Sequence, residues 1–573
     1  MLSGVFFYWL TINVVLFFAI WFNRDKAVFR GEIPKLKFVE FCLILGIIFF
    51  ILILAFIAYT APPNTYDSMT YHMSRVAHWQ QNRSVYNFAS HDIRQDIFPP
   101  FCEYFILHIQ ILSQSDRYAN FVQWFSMLGC LILSSLVAQL LGLSRLGQII
   151  SGFLSVTIPV GILQATSTQN DYVLSFYFLC FVYFILLALK NFKFKFLILS
   201  GLSLGLAFLT KATAYFFCAP FLLFLCVNAY KKRKFLCLSD AAFILFFSLI
   251  VNIPYYCRTL SLSLGLYMDS QSVYSLKNEM SLTLWLSNFI RNIVSHFFIA
   301  HRKIDYFILD VVSDIHKFIQ VPVSDSRITY LNTVFAPSGY LFHEDYAGNL
   351  FHSLLFIAAI FMILLNLKKW NGRCLTYCLS VILSFCLFCF IMQWSPWSTR
   401  YSLVFFILSA PIVAHFLVQH VDKRIAAVIL FGLYLSSSFW VFNNMTRSLV
   451  RKQNILNTSR FEQYFSPSPG FRRSYYDVFK EIQSCECKRI GLISYYGFWE
   501  YPIWAFMRKM YFNDFVIYHI KVSNQTKNLE QNGFDPCLII TDQSFKDKEI
   551  EYNGFNYVLC KEVPCIHLYR KED

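Results

Sequence analysis

The stretch FCLILGIIFFILILAFIAYTA, residues 41–61, decides the class of fold. It carries no charged residue, and about 20 predominantly apolar residues in a helix are enough to span the hydrocarbon core of a bilayer. Over the whole chain of 573 residues, 57% are hydrophobic and only 14% are charged, more apolar than an ordinary soluble domain. The sequence therefore predicts a polytopic membrane protein. Continuous apolar runs, without strict alternation, favour helical spans over a β-barrel.

Apolar runs of similar length recur along the chain and predict about twelve membrane-spanning helices. The first run, LSGVFFYWLTINVVLFFAIWF, is preceded by no basic residue and followed by no small-residue cleavage site. We therefore expect a retained span there and not a signal peptide. The predicted spans lie near residues 3–22, 38–61, 121–143, 147–165, 172–189, 196–210, 212–229, 238–257, 350–367, 374–393, 401–419 and 425–442.

The formal net charge of +15 resides in short connections between the predicted spans. Every second connection is basic, and together these connections hold eighteen lysines and arginines against three acids, a difference equal to the whole net charge. Basic loops remain on the cytoplasmic side of a membrane. The charge therefore predicts the orientation of the chain and no nucleic-acid partner. The basic residues are Arg24, Lys26, Arg30, Lys35, Lys37, Arg145, Lys190, Lys193, Lys195, Lys231, Lys232, Arg233, Lys234, Lys368, Lys369, Arg373, Lys423 and Arg424.

The larger polar segments then fall on the extracytoplasmic side. In the first of them, apolar and polar side chains trace different faces at helical spacing, which predicts amphipathic helices at the membrane surface. We expect the apolar face to rest on lipid or on neighbouring spans, and the polar face to line a cavity. The outer segments are residues 62–120, 258–349 and 443–573, with short polar turns at 165–171, 210–213 and 394–400. The polar face is formed by Asp67, Tyr71, Ser74 or Arg75, and His78.

Beyond residue 443 the composition becomes that of a soluble domain. RIGLIS and PCLIIT predict buried strands, and YYDVFKEIQS predicts a helix. The sequence thus predicts an all-α transmembrane domain over 1–442, with outer loops 62–120 and 258–349, and a small extracytoplasmic α/β domain over 443–573. Five of the 17 cysteines lie in this last domain. An odd number leaves at least one of them unpaired, and no zinc-site spacing supported by histidines is present.

Acidic residues stand at the predicted outer ends of spans. Asp67 follows the span over 38–61, Asp171 opens a span in the polar turn STQND, and Glu103 opens the stretch EYFILH. Asp67 and Asp171 are each compatible with a helix cap or with a water-filled cavity, because polar groups at the hydrocarbon boundary are otherwise costly.

Two basic residues occupy the same level of the predicted bilayer. Lys211 lies in GLAFLTKATAYFF, at a turn between two spans, and Arg400 lies in WSPWSTRYSLVFF, at another outward turn. Each could extend its charged end to the membrane surface without further function, or bind an anion there. Arginine and lysine at this depth suit the phosphate of a lipid-anchored substrate.

Other polar clusters on the outer side are less specific. His72, Arg75 and His78 could line the same cavity or be structural. The stretch LFHEDYAGNLFH could hold a divalent metal, but its spacing matches no ligand pattern, and a solvated helix start is the alternative. Trp499, Glu500 and Tyr501 could offer a stacking surface for a sugar. The stretch LFHEDYAGNLFH contains His343, Glu344, Asp345 and His352.

Four segments resemble the bacterial GT-C glycosyltransferases, which include the protein O-mannosyltransferase-like group and the lipid A aminoarabinose transferases. The segments are YDSMTYHMSRVAHWQQNRSV, STQNDYVLSFYF, GLAFLTKATAYFF and STRYSLVFF, and the resemblance covers roughly residues 38–420. It implies a GT-C fold and transfer of a sugar from a polyprenyl-phosphate carrier on the outer membrane face. The chain departs from the simplest family pattern in having a span before the one that leads to Asp67. It also has Ser68 where the family has the second acid of an Asp-Glu pair.

The resemblance also implies roles for particular residues. Asp67 and Asp171 would be the catalytic acids, with Asp67 as the base that activates the acceptor, and Lys211 and Arg400 would bind the carrier phosphate. The further substrate-binding candidates are Glu103, Arg75, His78 and Tyr71. No cofactor is certain; a divalent cation, Mg²⁺ or Mn²⁺, would use Asp67 and Asp171.

The predicted function is therefore transfer of a sugar from a polyprenyl-phosphate donor to a protein, lipid A or a polysaccharide, with inversion, at the periplasmic side of a bacterial inner membrane. A transporter or flippase of an anionic lipid-linked substrate is the main alternative. A transporter is expected to place charges and broken helices near mid-membrane, often in repeated halves, whereas here the charges lie at span ends. A ligase or acyltransferase acting on lipid-linked polymers would share the outer anion site.

Overall fold

The structure of the protein, a computed structural model, describes residues 36–262, 279, 281–339, 342–366, 372–495, 497–545 and 547–572. The predicted span near 3–22 lies outside the described residues. In chain order the helices are α1 Phe38–Thr60, α2 Met73–Asn82, α3 Arg94–Ile97, α4 Phe101–Ser113, α5 Phe121–Leu140, α6 Arg145–Val156, α7 Pro159–Gln164, α8 Asp171–Lys190, α9 Phe194–Thr210, α10 Ala214–Arg233, α11 Leu236–Ser261, α12 Leu282–Val294, α13 Arg302–Phe318, α14 Leu350–Leu365, α15 Gly372–Ile391, α16 Ser398–Tyr401, α17 Leu403–Gln419, α18 Lys423–Phe442, α19 Arg460–Gln463, α20 Phe471–Ser484 and α21 Tyr501–Tyr511.

The helical part is a multi-pass membrane bundle. Among the described residues, six helices are long and apolar enough to cross a bilayer, namely α1, α5, α8, α11, α15 and α18, and the shorter apolar helices are α4, α9, α10, α14 and α17. Each predicted span within the described residues coincides with one helix to within a few residues, except the span over 147–165. The predicted fold class is confirmed, while the number of spans and the domain boundaries stay predictions.

The span predicted over 147–165 is two helices, α6 and α7. The break falls at Ile158, whose backbone is extended, with φ −65° and ψ 119°. Pro159 explains the break, because its ring disfavours the helical conformation of the preceding residue and its nitrogen has no hydrogen to donate.

Two glycines set the distance between α9 and α11. A Cβ at Gly201 would lie 2.6 Å from the carbonyl oxygen of Ile244, and one at Gly205 would lie 2.8 Å from that of Ser248. The side-chain amide of Asn252 donates to the carbonyl oxygen of Gly205 at 2.9 Å. Small residues four apart allow two membrane helices to approach this closely, and α9 ends directly before Lys211.

The C-terminal part is built around a six-stranded sheet. The strands are β1 Arg489–Ile493, β2 Val516–His519, β3 Leu538–Asp542, β4 Glu549–Tyr552, β5 Phe555–Val563 and β6 Ile566–Lys571, in the spatial order β2-β1-β3-β6-β5-β4. The first three strands are mutually parallel, and β6 runs antiparallel to β3. A disulfide joins Cys487 and Cys537, next to the starts of β1 and β3. The predicted small α/β domain is confirmed, including both predicted strands and the helix α20.

The apolar face of α2 packs on this domain. Met73, Val76 and Trp79 share one hydrophobic core with Val478, Trp504 and strand residues of the sheet. The polar face of α2 is buried as well, since Arg75 and His78 are at most 1% exposed. The prediction that the helix rests on lipid or on neighbouring spans therefore does not describe its main contact. The hydrophobic face of a helix predicts that this face is buried, but it does not predict which part of the protein or membrane covers it.

Candidate functional site

A cavity of about 640 Å³ opens at the end of the bundle opposite the basic loops. Its wall is drawn from distant parts of the chain, which only the folded bundle brings together. The lining residues are Tyr66, Asp67, Tyr71, Arg94, Phe98, Tyr330, His343, Asp345, Tyr346, Trp397, Arg400, Tyr401, Met445, Thr446, Ser466, Pro467, Ser468 and Trp499.

Arg400 lies between two carboxylates of this wall. One terminal nitrogen of its guanidinium group is 2.7 Å from Asp67 Oδ2, and the other is 2.8 Å from Asp345 Oδ1. Asp67 precedes the π-helical turn Ser68–His72, and its side chain makes no cap hydrogen bond. Asp67 thus lies in the cavity wall and does not cap the turn, while its catalytic role stays a prediction.

Asp171 and Lys211 form a second ion pair beside the first. Lys211 Nζ is 2.5 Å from Asp171 Oδ1 and 4.7 Å from the centre of the Tyr401 ring. Asp171 is 2% exposed, and its Oδ2 atom has no hydrogen-bond partner among the described residues. Burial lowers the pKa of the Lys211 ammonium, against the attraction of Asp171. Neither residue is part of the cavity wall, but the Lys211 ammonium group contacts the ring of Tyr401, which is part of it.

Direct side-chain contacts tie the two ion pairs together. The hydroxyl groups of Ser68 and Thr168 are 2.5 Å apart, which joins the turn after Asp67 to the turn before Asp171. The side-chain amide of Gln169 donates to Asp345 Oδ1 at 3.4 Å. The predicted acids Asp67 and Asp171 thus lie on neighbouring turns at one end of the bundle.

The two carboxylates on Arg400 respond differently to their surroundings. Burial alone would raise the pKa of the Asp67 carboxyl, but the positive charge of Arg400, helped by other nearby basic groups, lowers it to about 2. At Asp345 burial outweighs the charge of Arg400, and the pKa of that carboxyl is raised above its ordinary value. Asp67 is the more firmly ionised acid, and Asp345 takes up a proton more readily.

Besides Lys211, three of the four further substrate-binding candidates lie outside the cavity wall. Arg75 donates to the backbone carbonyl oxygens of Arg94, Gln95 and Phe98, and its guanidinium is 3.4 Å from Glu103. The carboxylate of Glu103 is also 2.5 Å from His72 Nδ1. These buried contacts hold the turn that carries Arg94 and Phe98, two wall residues. Tyr71, by contrast, lines the cavity as the substrate-binding prediction requires.

His78, the third of them, belongs to a buried network with Glu500 and His519. Within the part of the chain that the structure describes, these three side chains are the one group of metal-type ligands that lie close together. Trp504 Nε1 and Gln95 Nε2 donate to the two oxygens of Glu500, at 2.7 and 2.8 Å.

The same carboxylate is approached by His78 Nε2 at 2.7 Å and by His519 Nε2 at 3.3 Å. If His519 bound a metal through Nε2, its Nδ1 atom would carry a proton and donate it to a neighbour. In the structure Nδ1 instead accepts the backbone N–H of His91. The geometry is that of a carboxylate held by N–H donors.

The acids predicted as metal ligands, Asp67 and Asp171, each have a cationic side chain at ion-pair distance. A divalent cation needs several oxygen ligands at about 2.0–2.6 Å, and it would have to compete with the positive charge of Arg400 on Asp67 and of Lys211 on Asp171. The residues in this arrangement therefore do not fit a bound Mg²⁺ or Mn²⁺.

Several wall residues were not predicted as site residues. Asp345 lies in the stretch LFHEDY, for which a solvated helix start is the alternative prediction. No motif in the sequence singles out Arg94 or Tyr401. Trp499 was predicted only as one member of a stacking surface, and it lines the cavity. The one feature of the sequence that points to Asp345 is its place in an acidic stretch directly before a predicted span on the outer side.

The fold and part of the sequence match known glycosyltransferases. Residues 98–256 match the model of the family described as dolichyl-phosphate-mannose-protein mannosyltransferase. The crystal structure of ArnT from Cupriavidus metallidurans bound to undecaprenyl phosphate superposes with a TM-score of 0.54 and 10% identity, over 92% of this chain and 97% of that chain. The chain has the ArnT fold. The crystal structure of ArnT from Cupriavidus metallidurans in the apo state superposes with a TM-score of 0.52 and 9% identity, over 91% of this chain and 97% of that chain.

The archaeal oligosaccharyltransferase AglB from Archaeoglobus fulgidus, in complex with an inhibitory peptide and a dolichol-phosphate, is less similar to this chain. It gives a TM-score of 0.42 and 10% identity over 88% of this chain and 70% of that chain. No curated protein sequence matches the chain significantly. The predicted resemblance to GT-C glycosyltransferases is confirmed by the ArnT fold and by the family match, which includes Glu103, Asp171 and Lys211.

Proposed function

We propose that the protein is a membrane glycosyltransferase that takes a sugar from a polyprenyl-phosphate carrier and transfers it to an acceptor on the extracytoplasmic face. The observation that carries the proposal is the cavity in which Asp67 and Arg400 meet at 2.7 Å, at one end of a bundle with the ArnT fold. A carboxylate and a guanidinium side by side offer the base and the anion site that this reaction needs.

The charges suit a glycosyl phosphate as donor. Its phosphate is already a good leaving group, so the protein must mainly stabilise the negative charge that grows as the glycosidic bond breaks. Arg400 supplies a planar pair of donors for a phosphate, and Lys211 adds a second positive charge next to Tyr401. The carrier class is supported by the bound undecaprenyl phosphate in ArnT and by the dolichyl phosphate in the name of the matching family.

Asp67 is the proposed general base. Its carboxylate is ionised over the physiological range, because Arg400 holds its pKa at about 2, and it faces the cavity. When the donor phosphate engages Arg400, its negative charge offsets part of the guanidinium charge that acts on Asp67. The basicity of the Asp67 carboxylate rises, so it accepts the proton of the acceptor nucleophile. Attack from the face opposite the phosphate inverts the anomeric centre. A retaining reaction would need a carboxylate nucleophile instead.

The extracytoplasmic location of the cavity has two supports. The short basic connections lie at the other ends of the helices, and basic loops remain cytoplasmic. The Cys487–Cys537 disulfide belongs to the segment next to the cavity, and disulfides persist in oxidising compartments such as the periplasm. A bacterial inner membrane with a periplasmic active site fits both.

Release of carrier phosphate tests the proposal. Purified full-length protein in lipid nanodiscs is given a radiolabelled polyprenyl-phosphate sugar and a membrane extract as acceptor source. We expect Asp67→Asn to lower release by about 10²–10⁴-fold, the usual contribution of a general base. Asp325→Asn is the matched control, because Asp325 is also paired with an arginine, Arg327, but does not line the cavity.

Equal melting temperatures of the two variants would show that both are folded. Unchanged release by Asp67→Asn would remove Asp67 from the mechanism. Movement of intact donor across the bilayer without release of carrier phosphate would indicate a transporter.

A further inference from the structure

Asp345 occupies the anion-binding side of Arg400 in the described structure. Its Oδ1 atom lies 2.8 Å from one terminal nitrogen of the guanidinium, while Asp67 engages the other. Arg400 Nε has no hydrogen-bond partner among the described residues. A phosphate that binds Arg400 through two nitrogens needs at least one of the positions now taken by a carboxylate.

The other cations near the cavity are already committed. Arg94 makes a bidentate pair with Asp92, with distances of 2.9 and 2.6 Å, and Lys211 is paired with Asp171. Three carboxylates therefore face two cations, Arg400 and Lys211, around Tyr401. An incoming phosphate adds negative charge to a site that has no excess of positive charge, so one of the carboxylates has to yield.

Asp345 is the carboxylate most easily displaced. Asp67 is the proposed base, and its turn is fixed to the neighbouring turn through Ser68. The Asp345 side chain, by contrast, is held besides Arg400 by a long contact from Gln169 Nε2 at 3.4 Å. Its Oδ2 atom lies 3.8 Å from His343 Nδ1, a nitrogen that accepts the backbone N–H of Asp345. The titratable groups that face Asp345 are Arg400, His343, Asp67, Glu344 and, from the segment after α18, Arg447.

We propose that Asp345 is a placeholder for the carrier phosphate: in the free protein it occupies the site on Arg400 that the phosphate takes when the donor binds. Asp345 is then a positioning and specificity-determining residue. It weakens binding of every anion by competing for Arg400, and so favours ligands whose phosphate binds a guanidinium better than a carboxylate does. This inference rests on the proposed function, because it assumes that the ligand is a polyprenyl phosphate.

Binding of the carrier, without sugar or acceptor, tests the inference. Full-length protein in nanodiscs is titrated with undecaprenyl phosphate and, separately, with undecaprenol, which has the same chain and no charge. We expect Asp345→Asn to bind the phosphate about tenfold more tightly, the size of effect that one like charge a few ångströms away produces in a partly hydrated site. Binding of the alcohol should not change, and a merely structural role would not separate the two ligands.

Two further variants make the result decisive. Asp345→Ser removes the charge with a smaller side chain and should reproduce the gain if Asp345→Asn proves poorly folded by its melting temperature. Asp325→Asn, an acid paired with an arginine elsewhere, should leave both affinities unchanged. Equal or weaker phosphate binding in both Asp345 variants overturns the inference while leaving the proposed function standing. Wild-type protein that does not prefer the phosphate to the alcohol overturns both.

Discussion

Lys211 illustrates how much a single buried charge depends on its surroundings. Its ammonium group is held by Asp171 at 2.5 Å and faces the ring of Tyr401, with an exposed fraction of only 17%. Burial favours the neutral amine and lowers the pKa of Lys211, whereas the proposed role on the phosphate requires the charged form. A buried lysine can therefore lose its function at a pH where an exposed lysine is still protonated.

This difference gives an expected pH dependence. As pH rises through the lowered pKa of Lys211, the charged fraction falls about tenfold per pH unit, and we expect donor affinity to fall with it. Lys211→Arg should shift this loss to higher pH, because a guanidinium remains charged. The measurement is the KM for the donor between pH 7 and 10. Lys317→Arg, at an exposed pair with Asp314, should leave the profile unchanged; an identical profile in Lys211→Arg would exclude Lys211 from donor binding.

At the scale of elements, the site depends on the close approach of α9 and α11. Gly201 and Gly205 let the two helices approach to within backbone contact, and α9 delivers Lys211 to the second ion pair. A larger side chain on this face has to push the helices apart, and overpacking of this kind costs about 1–3 kcal/mol.

We therefore expect Gly205→Leu to lower the melting temperature and the transfer rate together, since the displacement of α9 moves Lys211. Gly432 in α18 is the matched control, because it is also a glycine in a spanning helix but has no atom within 4 Å of a built Cβ. Gly432→Leu should behave like the wild type in a thermal melt and in the carrier-release assay. A Gly205→Leu protein with normal stability would show that the helices can separate without cost.

A second element-scale contact joins the C-terminal domain to the cavity. Gly497 has φ +85°, and a Cβ there would clash with the hydroxyl of Tyr66, which donates to the carbonyl oxygen of Gly497 at 3.3 Å. Tyr66 directly precedes Asp67. The loop that carries Gly497 continues to Trp499, a wall residue.

Gly497→Ala should therefore reduce activity beyond its effect on stability. The positive φ costs about 1–2 kcal/mol for an alanine, and Gly533, with φ +68° and no atom near its Cβ, isolates that cost. We expect Gly533→Ala to lower the melting temperature slightly with normal carrier release, and Gly497→Ala to lower release as well. Equal release by both variants would contradict a link between this loop and Asp67.

At the scale of the whole molecule, the bundle and the C-terminal domain pack against each other and both line the cavity. Residues of α2 and of the sheet share a hydrophobic core, and Glu500 is bonded to His78, 422 residues earlier in the chain. Strain in the domain is therefore expected to reach the cavity.

Removal of the disulfide tests this coupling. Cys487 and Cys537 are 50 residues apart, and loss of a crosslink over such a loop costs about 2–4 kcal/mol. We expect Cys487→Ser/Cys537→Ser to lower both the melting temperature and carrier release. Cys560→Ser, at an exposed free cysteine, is the control. Retained release in the double variant at a temperature where it remains folded would argue that domain and cavity are independent.

The sequence predicts the bundle well because the length of an apolar run is a local property. It also predicts that Asp67, Asp171, Lys211 and Arg400 lie on one side, since all four follow or open a span there. Asp345 was missed as a site residue because its importance comes from a pairing with Arg400, 55 residues away, and no local pattern encodes such a pairing. Pro159 alone predicts a helix break, but the run over residues 147–165 is predominantly apolar and therefore predicts one span.

The participation of residues 466–468 and Trp499 in the cavity wall has a consequence for biogenesis. A nascent chain that has inserted every helix of the bundle still lacks part of the cavity wall until its final segment has folded. On the proposed function, we therefore expect catalytic competence to be acquired last, after folding of the tail and not on membrane insertion.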